Sequence, residues 1–372
     1  MTAPDRFPPL DVAVIGCGAV VERLYRPALI KLESRRIVRV AALVDPNPAR
    51  TAALARQFRA ARTFATPAEA LASVAPTLTI VTSPPAMHVE HTVAALAAGS
   101  HVLCEKPMAV DADEAASMVA AAQAAHRVLA VGMTRRFYPC LAEAQRLIAS
   151  GAIGEPYRFT YREGHVYDWP TTTDAAFQRA SGGGGVLVDL GSHVLDFLLA
   201  LFGPLTVTEY ADDAHAEGVE VNCRLELSGQ HADGTAQLSW NQPLLTGLQV
   251  IGSRGELIVD PSRLDLVRWR RQGATLEAVP SNATWPSDLA LSGKRGRPSR
   301  HEQCIYYEVV QVLRAAMRGE DVPASGEAGL AVVRMVEACF RQATSLRLPW
   351  LEPSDQARLD ARHWKGERWV AA

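Results

Sequence analysis

Three sets of residues have the types and spacing to do chemistry. The first is Glu105-Lys106-Pro107, which stands on the end of His101-Val102-Leu103-Cys104. That run is apolar and partly β-branched and predicts a short buried strand. Pro107 fixes its own φ and keeps Lys106 out of the helical region, so the ammonium is aimed from the strand end. Open α/β sheets hold their ligands at that rim. A solvated Glu–Lys turn is the plain alternative, because surface ion pairs are common and weak. The second set is Asp189, His193 and Asp196, at i, i+4 and i+7 in the otherwise apolar stretch Val186–Phe202. On a helix these three share a face. An acid and an imidazole in so apolar a setting need partners or a ligand; a satisfied core histidine with a capping aspartate is the other reading. The third is Asp45, which closes the run Val38–Val44.

The elements that must position these groups begin with Asp11–Gly16, a buried strand that leads into Gly16-Cys17-Gly18 and a helix from Ala19 to Leu32. Strand, glycine turn and helix are the context of a dinucleotide fingerprint. Gly16 permits the tight turn. Gly18 lets backbone approach a pyrophosphate, which the helix N-terminus holds through its free N–H groups and dipole. The third glycine of the pattern is replaced by Val21, whose β-branched side chain is expected to push helix and strand slightly apart. Asp45 lies at the distance past the turn where a ribose-binding carboxylate belongs. Such a carboxylate accepts both ribose hydroxyls and repels a 2′-phosphate, which predicts NAD over NADP. Arg50, in the turn Asn47–Arg50, argues the other way, since an arginine there can accept that phosphate. A helix N-cap before Pro46 is the competing role for Asp45.

The pattern then repeats. Strands are predicted at Thr63–Phe64, Leu78–Val81, His101–Cys104 and Val128–Val131, with helices at Pro67–Ser73, Met87–Ala98 and Asp111–Ala125. Alternation of this kind implies a parallel sheet covered on both faces. After Gly132 the composition changes. A helix is expected over Leu141–Ala149 and an edge or half-exposed strand over Tyr157–Glu163. The turn with His165, Tyr167, Asp168, Trp169 and Pro170 can stack a sugar ring or be a packed loop. Between Leu205 and Arg271 short alternating strands predict an antiparallel sheet with one covered face, and Trp240 or its polar neighbours are assigned to the other face, meeting a second subunit. Two helices, His301–Arg318 and Gly326–Ser345, and a tail, Glu352–Ala372, complete the chain. The basic stretch Lys294–Arg300 reads as a solvated loop, or as a lid or anion contact.

Bulk properties exclude little but bound the answer. The chain has 372 residues, 48% hydrophobic and 21% charged, with a formal net charge of -2. That balance does not call for nucleic acid or an anionic membrane. Six cysteines are scattered without metal-ligand or CxxC spacing, so no metal is expected and a reducing cytoplasm is the simplest compartment. Met1–Leu10 has no apolar core of signal-peptide length, and no uncharged apolar run is long enough to span a membrane.

Together these residues resemble the Gfo/Idh/MocA oxidoreductase family, over nearly the whole chain. The most specific match is Ala98-Gly99-Ser100 through Pro107, against the family's Ala-Gly-Lys-His-Val-x-Cys-Glu-Lys-Pro. Ser83-Pro84-Pro85-Ala86-Met87-His88 is similar to Thr-Pro-Asn-x-x-His, and Gly183 to Asp196 to the family's Gly-rich Asp/His run. Val21 in the glycine loop and Thr134, where an Asn often precedes the Arg-Phe pair, depart from it.

The resemblance implies an α/β chain: a Rossmann dinucleotide-binding domain over 1–133 and an α+β substrate and oligomerisation domain over 134–372, with a large open, mostly antiparallel sheet. It implies NAD(P)-dependent hydride transfer at a secondary alcohol of a sugar or cyclitol by a homodimer or homotetramer. Lys106 is then expected to polarise the reacting oxygen, His193 to carry the proton and Asp189 to tune it, with Lys106 and His193 converging beside one nicotinamide. The cofactor, NAD with NADP possible, is expected to meet Gly16, Gly18, Ala19, Val20, Asp45, Arg50, Ser83, Pro84, His88, Glu105, Lys106 and Arg136. In isolation His88 reads as a helix-surface histidine. Two rivals keep the fold: glycoside cleavage through transient oxidation by bound NAD, and non-catalytic nucleotide sensing.

Overall fold

The computed structural model describes residues 8–170, 177–215, 218–289, 294–347 and 352–362. The expectations for Met1–Phe7 and for the end of the tail, 363–372, lie outside the described residues. The chain divides into two units, Met1–Phe137 with Thr284–Leu330, and Tyr138–Ala283 with Ala331–Ala372. The expected division at 133/134 gave everything beyond it to the second domain. The return of Thr284–Leu330 to the first unit is a long-range pairing with no local signature.

In the first unit, β1 (Leu10–Ile15), β2 (Val38–Val44), β3 (Arg62–Phe64), β4 (Leu78–Val81), β5 (His101–Cys104) and β6 (Leu129–Val131) form one sheet in the order 3-2-1-4-5-6. Every pairing in it is parallel. Strand order reverses between β1 and β4, and the crevice beyond their carboxyl ends is where such sheets bind ligands. The connecting helices are α1 (Arg26–Ser34), α2 (Pro48–Ala55), α3 (Pro67–Val74), α4 (His88–Ala97) and α5 (Ala112–Ala125).

Their starts follow from local chemistry. Asn47, Thr66 and Asp111 accept bonds from the backbone N–H groups of Ala49, Glu69 and Glu114, each cap contributing about 1 kcal/mol. Pro48 and Pro67 occupy first-turn positions where a missing N–H costs nothing. β4, β5 and most of β2 are buried on both faces, which is why they read as largely apolar runs, whereas the edge strand β3 is mostly exposed. Ala13, Ile15, Ala42, Val44 and Ala70 form a shared core, with Phe64 and Val74 packed against it. Val21 opens a one-turn π-helix, Val21–Tyr25, that runs into α1. Thr284–Leu330 contributes β15 (Trp285–Pro286), β16 (Arg295–Gly296), α9 (His301–Arg318) and the start of α10 (Gly326–Arg341).

The second unit contains α6 (Pro139–Ala149), β7 (Pro156–Gly164), the short α7 (Arg179–Gly182) and α8 (Ser192–Phe202), which is preceded by a π-helical turn, Leu187–Gly191. Its strands are β8 (Leu205–Asp212), β9 (Asn222–Gly229), β10 (Asp233–Ser239), β11 (Leu244–Gly252), β12 (Gly255–Val259), β13 (Leu266–Arg271), β14 (Glu277–Pro280) and β17 (Ala343–Ser345); α11 (Pro353–Arg362) lies within the expected tail. The nine-stranded sheet runs 14-13-12-11-7-10-9-8-17. It is mostly antiparallel, but β7–β10 and β8–β17 pair parallel. β7 is central and not an edge, since β10 and β11 pair with its two sides. Its pattern looked half-exposed because only one face is covered.

α8 supplies that cover: Phe202 stacks on Phe159 at 4.7 Å and Phe197 meets Tyr161 edge-on at 6.3 Å. Burying rings of this size is worth about 2–3 kcal/mol each. Arg224, Gln237 and Arg162 are lateral neighbours on the opposite face, as are Thr235, Thr160 and Gln249. Trp240 does not join that polar face. It is 4% exposed, turned into the unit.

Candidate active site

The nucleotide side of the first unit is built on β1, β2 and β4. Gly16 has φ +92°, and a Cβ there would sit 2.6 Å from the Ser83 N and 2.7 Å from the Thr82 carbonyl. Backbone packs directly on backbone, which only glycine allows. Thr82 locks the turn by donating its hydroxyl to the Gly16 carbonyl at 2.6 Å. At Gly18 a Cβ would meet nothing within 4 Å. The turn therefore leaves open space beside the first turn of the following helix, over Ala19 and Val20, whose N–H groups lack intrahelical acceptors.

Asp45 is 5% exposed. One carboxylate oxygen accepts from the Cys17 N–H at 2.9 Å and the other from the Asn47 N–H at 2.9 Å. Arg50 stands 3.7 Å from it. Asn47, and not Asp45, caps α2. A buried carboxylate with two lone pairs per oxygen keeps acceptor capacity for a diol. The open side of Gly18, the helix start and this carboxylate fit a dinucleotide.

Ser83, Pro84 and His88 follow β4. His88 is 1% exposed and not on the helix surface. Its Nδ1 lies 2.8 Å from the Pro107 carbonyl and its Nε2 2.8 Å from the Ser83 carbonyl. Burial pulls its pKa down against those two bonds. His88 thus ties the Ser83 loop to the Lys106–Pro107 loop, and His91 holds the Ser83 hydroxyl at 2.9 Å. Pro84 is exposed. The Lys106–Pro107 peptide bond is cis.

Glu105 turns inward. It accepts from the Tyr25 hydroxyl at 2.7 Å and from the Lys106 N–H at 3.0 Å. Burial raises its pKa, opposed by the Tyr25 bond and the Lys106 charge. Lys106 and Arg136 are both partly exposed, whereas Arg135 beside the latter is buried. His301, first residue of α9, is missed by sequence spacing. Burial lowers its pKa, and the charges of Arg135 and Lys106 lower it further. The basic stretch after Lys294 is anchored and not a freely solvated loop: β16 pairs with β15, and Arg295 Nε donates to the Thr284 hydroxyl at 3.0 Å.

In the second unit, Asp189 lies in the π-helical turn, His193 in the first turn of α8 and Asp196 one turn further on. Asp189 and His193 are partly exposed while Asp196 is fully buried, so the three do not present one uniform face. Trp240 Nε1 donates to Asp189 at 3.2 Å. Tyr167 packs on Trp240 with centroids 4.9 Å apart, and Phe177 on Tyr167 at 5.2 Å. The Tyr167 N–H also bonds the Trp240 carbonyl at 2.8 Å. Burial raises the Tyr167 pKa, and the nearby Asp189 adds to it. The turn of aromatic and polar residues thus forms a wall beside Asp189. Tyr25, Thr82, His91 and Trp240 carry no spacing that marks them. Thr82 alone had a signal, its place at the end of β4 beside Ser83.

Comparisons with known proteins bear on the family and the fold. Residues 10–133 match the family model GFO_IDH_MocA, the oxidoreductase family with an NAD-binding Rossmann fold, and residues 141–258 match the GFO/IDH/MocA C-terminal domain. The chain is 32% identical over 219 residues to D-glucoside 3-dehydrogenase of Escherichia coli, covering 58% of this chain and 60% of that protein. It is 25% identical over 367 residues to the NADP-dependent scyllo-inositol 2-dehydrogenase of Bacillus subtilis, covering 92% and 96%. In fold it is similar to a levoglucosan dehydrogenase in complex with NADH and levoglucosan, with a TM-score of 0.77 at 20% identity, covering 89% and 96% of the two chains. No helix among the described residues is long and apolar enough to cross a membrane. With both family domains matched along most of its length, this chain belongs to the Gfo/Idh/MocA oxidoreductases.

Proposed function

We propose that this protein is an NAD(P)-dependent oxidoreductase that interconverts a secondary alcohol and a ketone on a sugar, sugar derivative or cyclitol. The observation that carries the reading is the cradle at the β1–β4 switch point: Gly16 against the Thr82–Ser83 backbone, open space at Gly18, and the buried Asp45 carboxylate. It is supported by relatives named as glucoside and inositol dehydrogenases. A nicotinamide bound there supplies the hydride acceptor, or the donor in the reverse direction.

The side chains do the rest. Lys106, held by the His88-stapled loop, offers a fixed cation to the reacting oxygen and stabilises its alkoxide character. His193 takes the hydroxyl proton, as the side chain that titrates nearest neutral pH. Asp189, fixed by Trp240, favours the protonated imidazole one helical turn on. Tyr167 and Phe177 offer ring faces and edges to the C–H surface of a sugar. Asp45 favours NAD, with Arg50 leaving NADP accessible. We further propose a cytoplasmic homodimer or homotetramer assembled over the polar face of the large sheet, which light scattering of the purified protein tests directly.

The deciding assay is NAD or NADP reduction at 340 nm across glucosides, 1,5-anhydro sugars, inositols and sugar phosphates. Substrate-dependent reduction by wild type, lost in Lys106→Ala and His193→Ala, supports the reading. Sugar release without net NADH points to the glycoside-cleaving rival, and no turnover with tight nucleotide binding points to a sensor.

A further inference from the structure

A buried ion pair lies under the segment that carries Asp189 and His193. Glu220 is 0% exposed. Its Oε1 accepts from the Gly185 N–H at 2.8 Å and the Leu187 N–H at 3.2 Å, and its Oε2 stands 3.5 Å from Arg179. Its own carbonyl accepts from the Val186 N–H at 2.9 Å. Three successive N–H groups at the start of the π-helical turn are therefore held by one residue, and these are the donors a helix start leaves without partners. Gly185 fits so closely that a Cβ would lie 1.9 Å from the Glu220 carbonyl. The Asp189 N–H bonds the Gly185 carbonyl at 3.0 Å, so the clamp reaches the acid within one turn.

We propose that Glu220 is a positioning residue for the proposed reaction: its carboxylate clamps the start of the segment bearing Asp189 and His193, and so sets their turnover without touching substrate. The proposal rests on the oxidoreductase reading for its rate effect, but the clamp itself does not. Glu220 faces Arg179 from α7, Asp212 and Tyr210 from β8, Cys223 from β9 and Cys339 from α10. Burial pushes its pKa up to about 7, Arg179 opposing and Asp212 adding to the rise. Above that pH the charged carboxylate accepts strongly from Gly185 and Leu187 and pairs with Arg179. Below it the proton weakens the acceptor and removes the negative charge that Glu220 offers Arg179.

Glu220→Gln keeps the shape and removes the charge. At pH 8 it is expected to lower kcat about threefold to tenfold with substrate KM within about twofold, as loss of charge-assisted bonds to a positioning group would do. The wild-type kcat profile should contain an ionisation near 7 that the variant lacks. A second measurement needs neither substrate nor variant. Hydrogen–deuterium exchange of wild type at pH 6 and pH 8, corrected for intrinsic rates, should show the 183–196 peptide less protected at pH 6. Equal protection at both pH values, or a variant with wild-type kcat and profile, overturns the clamp. Protection that depends on pH in a protein that never reduces nicotinamide supports the clamp and refutes the oxidoreductase reading.

Discussion

Asp45→Asn asks the most of the nucleotide side. The wild-type carboxylate is 5% exposed and already accepts from Cys17 and Asn47 at 2.9 Å each. The amide has one acceptor oxygen. Whichever way it rotates, one of those two N–H groups faces an NH2, an orphaned buried donor that costs about 1–3 kcal/mol. The ribose diol loses a charged acceptor as well. A bond to a charged partner is worth about 1.5–3 kcal/mol and to a neutral one about 0.5–1.5, so the difference is about 1–1.5 kcal/mol, or roughly tenfold in affinity for NADH. Removing the negative charge also relieves about 2 kcal/mol of repulsion against a 2′-phosphate dianion about 5 Å away in a water-like dielectric. Fluorescence titration with NADH and NADPH reads both without any substrate. The expected result is NADH binding weakened by roughly tenfold and an NADH-over-NADPH preference narrowed by up to about two hundredfold. An NADH affinity within about threefold of wild type, with no relative gain for NADPH, would refute the assignment of Asp45.

Further consequences concern the frame around the site. Gly16→Ala should destabilise by about 2–4 kcal/mol, from positive φ and from overlap with the Thr82–Ser83 backbone; urea unfolding checks it, and a loss under about 1 kcal/mol contradicts the packing. Tyr25→Phe removes the 2.7 Å bond to Glu105 and should cost about 1–3 kcal/mol. A melting temperature unchanged by Tyr25→Phe would contradict that. His101, at the start of β5, accepts the Val128 N–H at 2.9 Å, and burial lowers its pKa to about 4. Its folded pKa lies below the unfolded value, so its contribution is present above about 6.5 and is lost as pH falls toward about 4. Chemical denaturation from pH 7 to 4 should therefore show less acid sensitivity in His101→Gln, and an identical pH slope would contradict the role.

The sequence made local chemistry legible and distant partners invisible. The runs Val38–Val44, Leu78–Val81 and His101–Cys104 coincide with their strands because burial on both faces leaves continuous apolar runs with sharp ends. Gly16 and Asp45 were readable because a glycine turn and a strand-ending acid are local events. Tyr25 and Glu105 are 80 residues apart, Asp189 and Trp240 51, and Gly185 and Glu220 35; no spacing rule links them. His88 misled because its helix periodicity says nothing about the loop that folds over it. β7 has the half-exposed pattern read for Tyr157–Glu163 but not an edge position, because one covered face looks the same in a central strand as at an edge.

The proposal on which the function rests is that Lys106 and His193 serve one reaction step. A double-mutant cycle in kcat, with Lys106→Ala, His193→Ala and the pair, tests it most directly. Each single change should lower kcat by about a hundredfold or more, and the pair should be little slower than the worse single, as groups sharing one transition state behave. Near-normal turnover in either single variant, or losses that simply multiply in the pair, would contradict it.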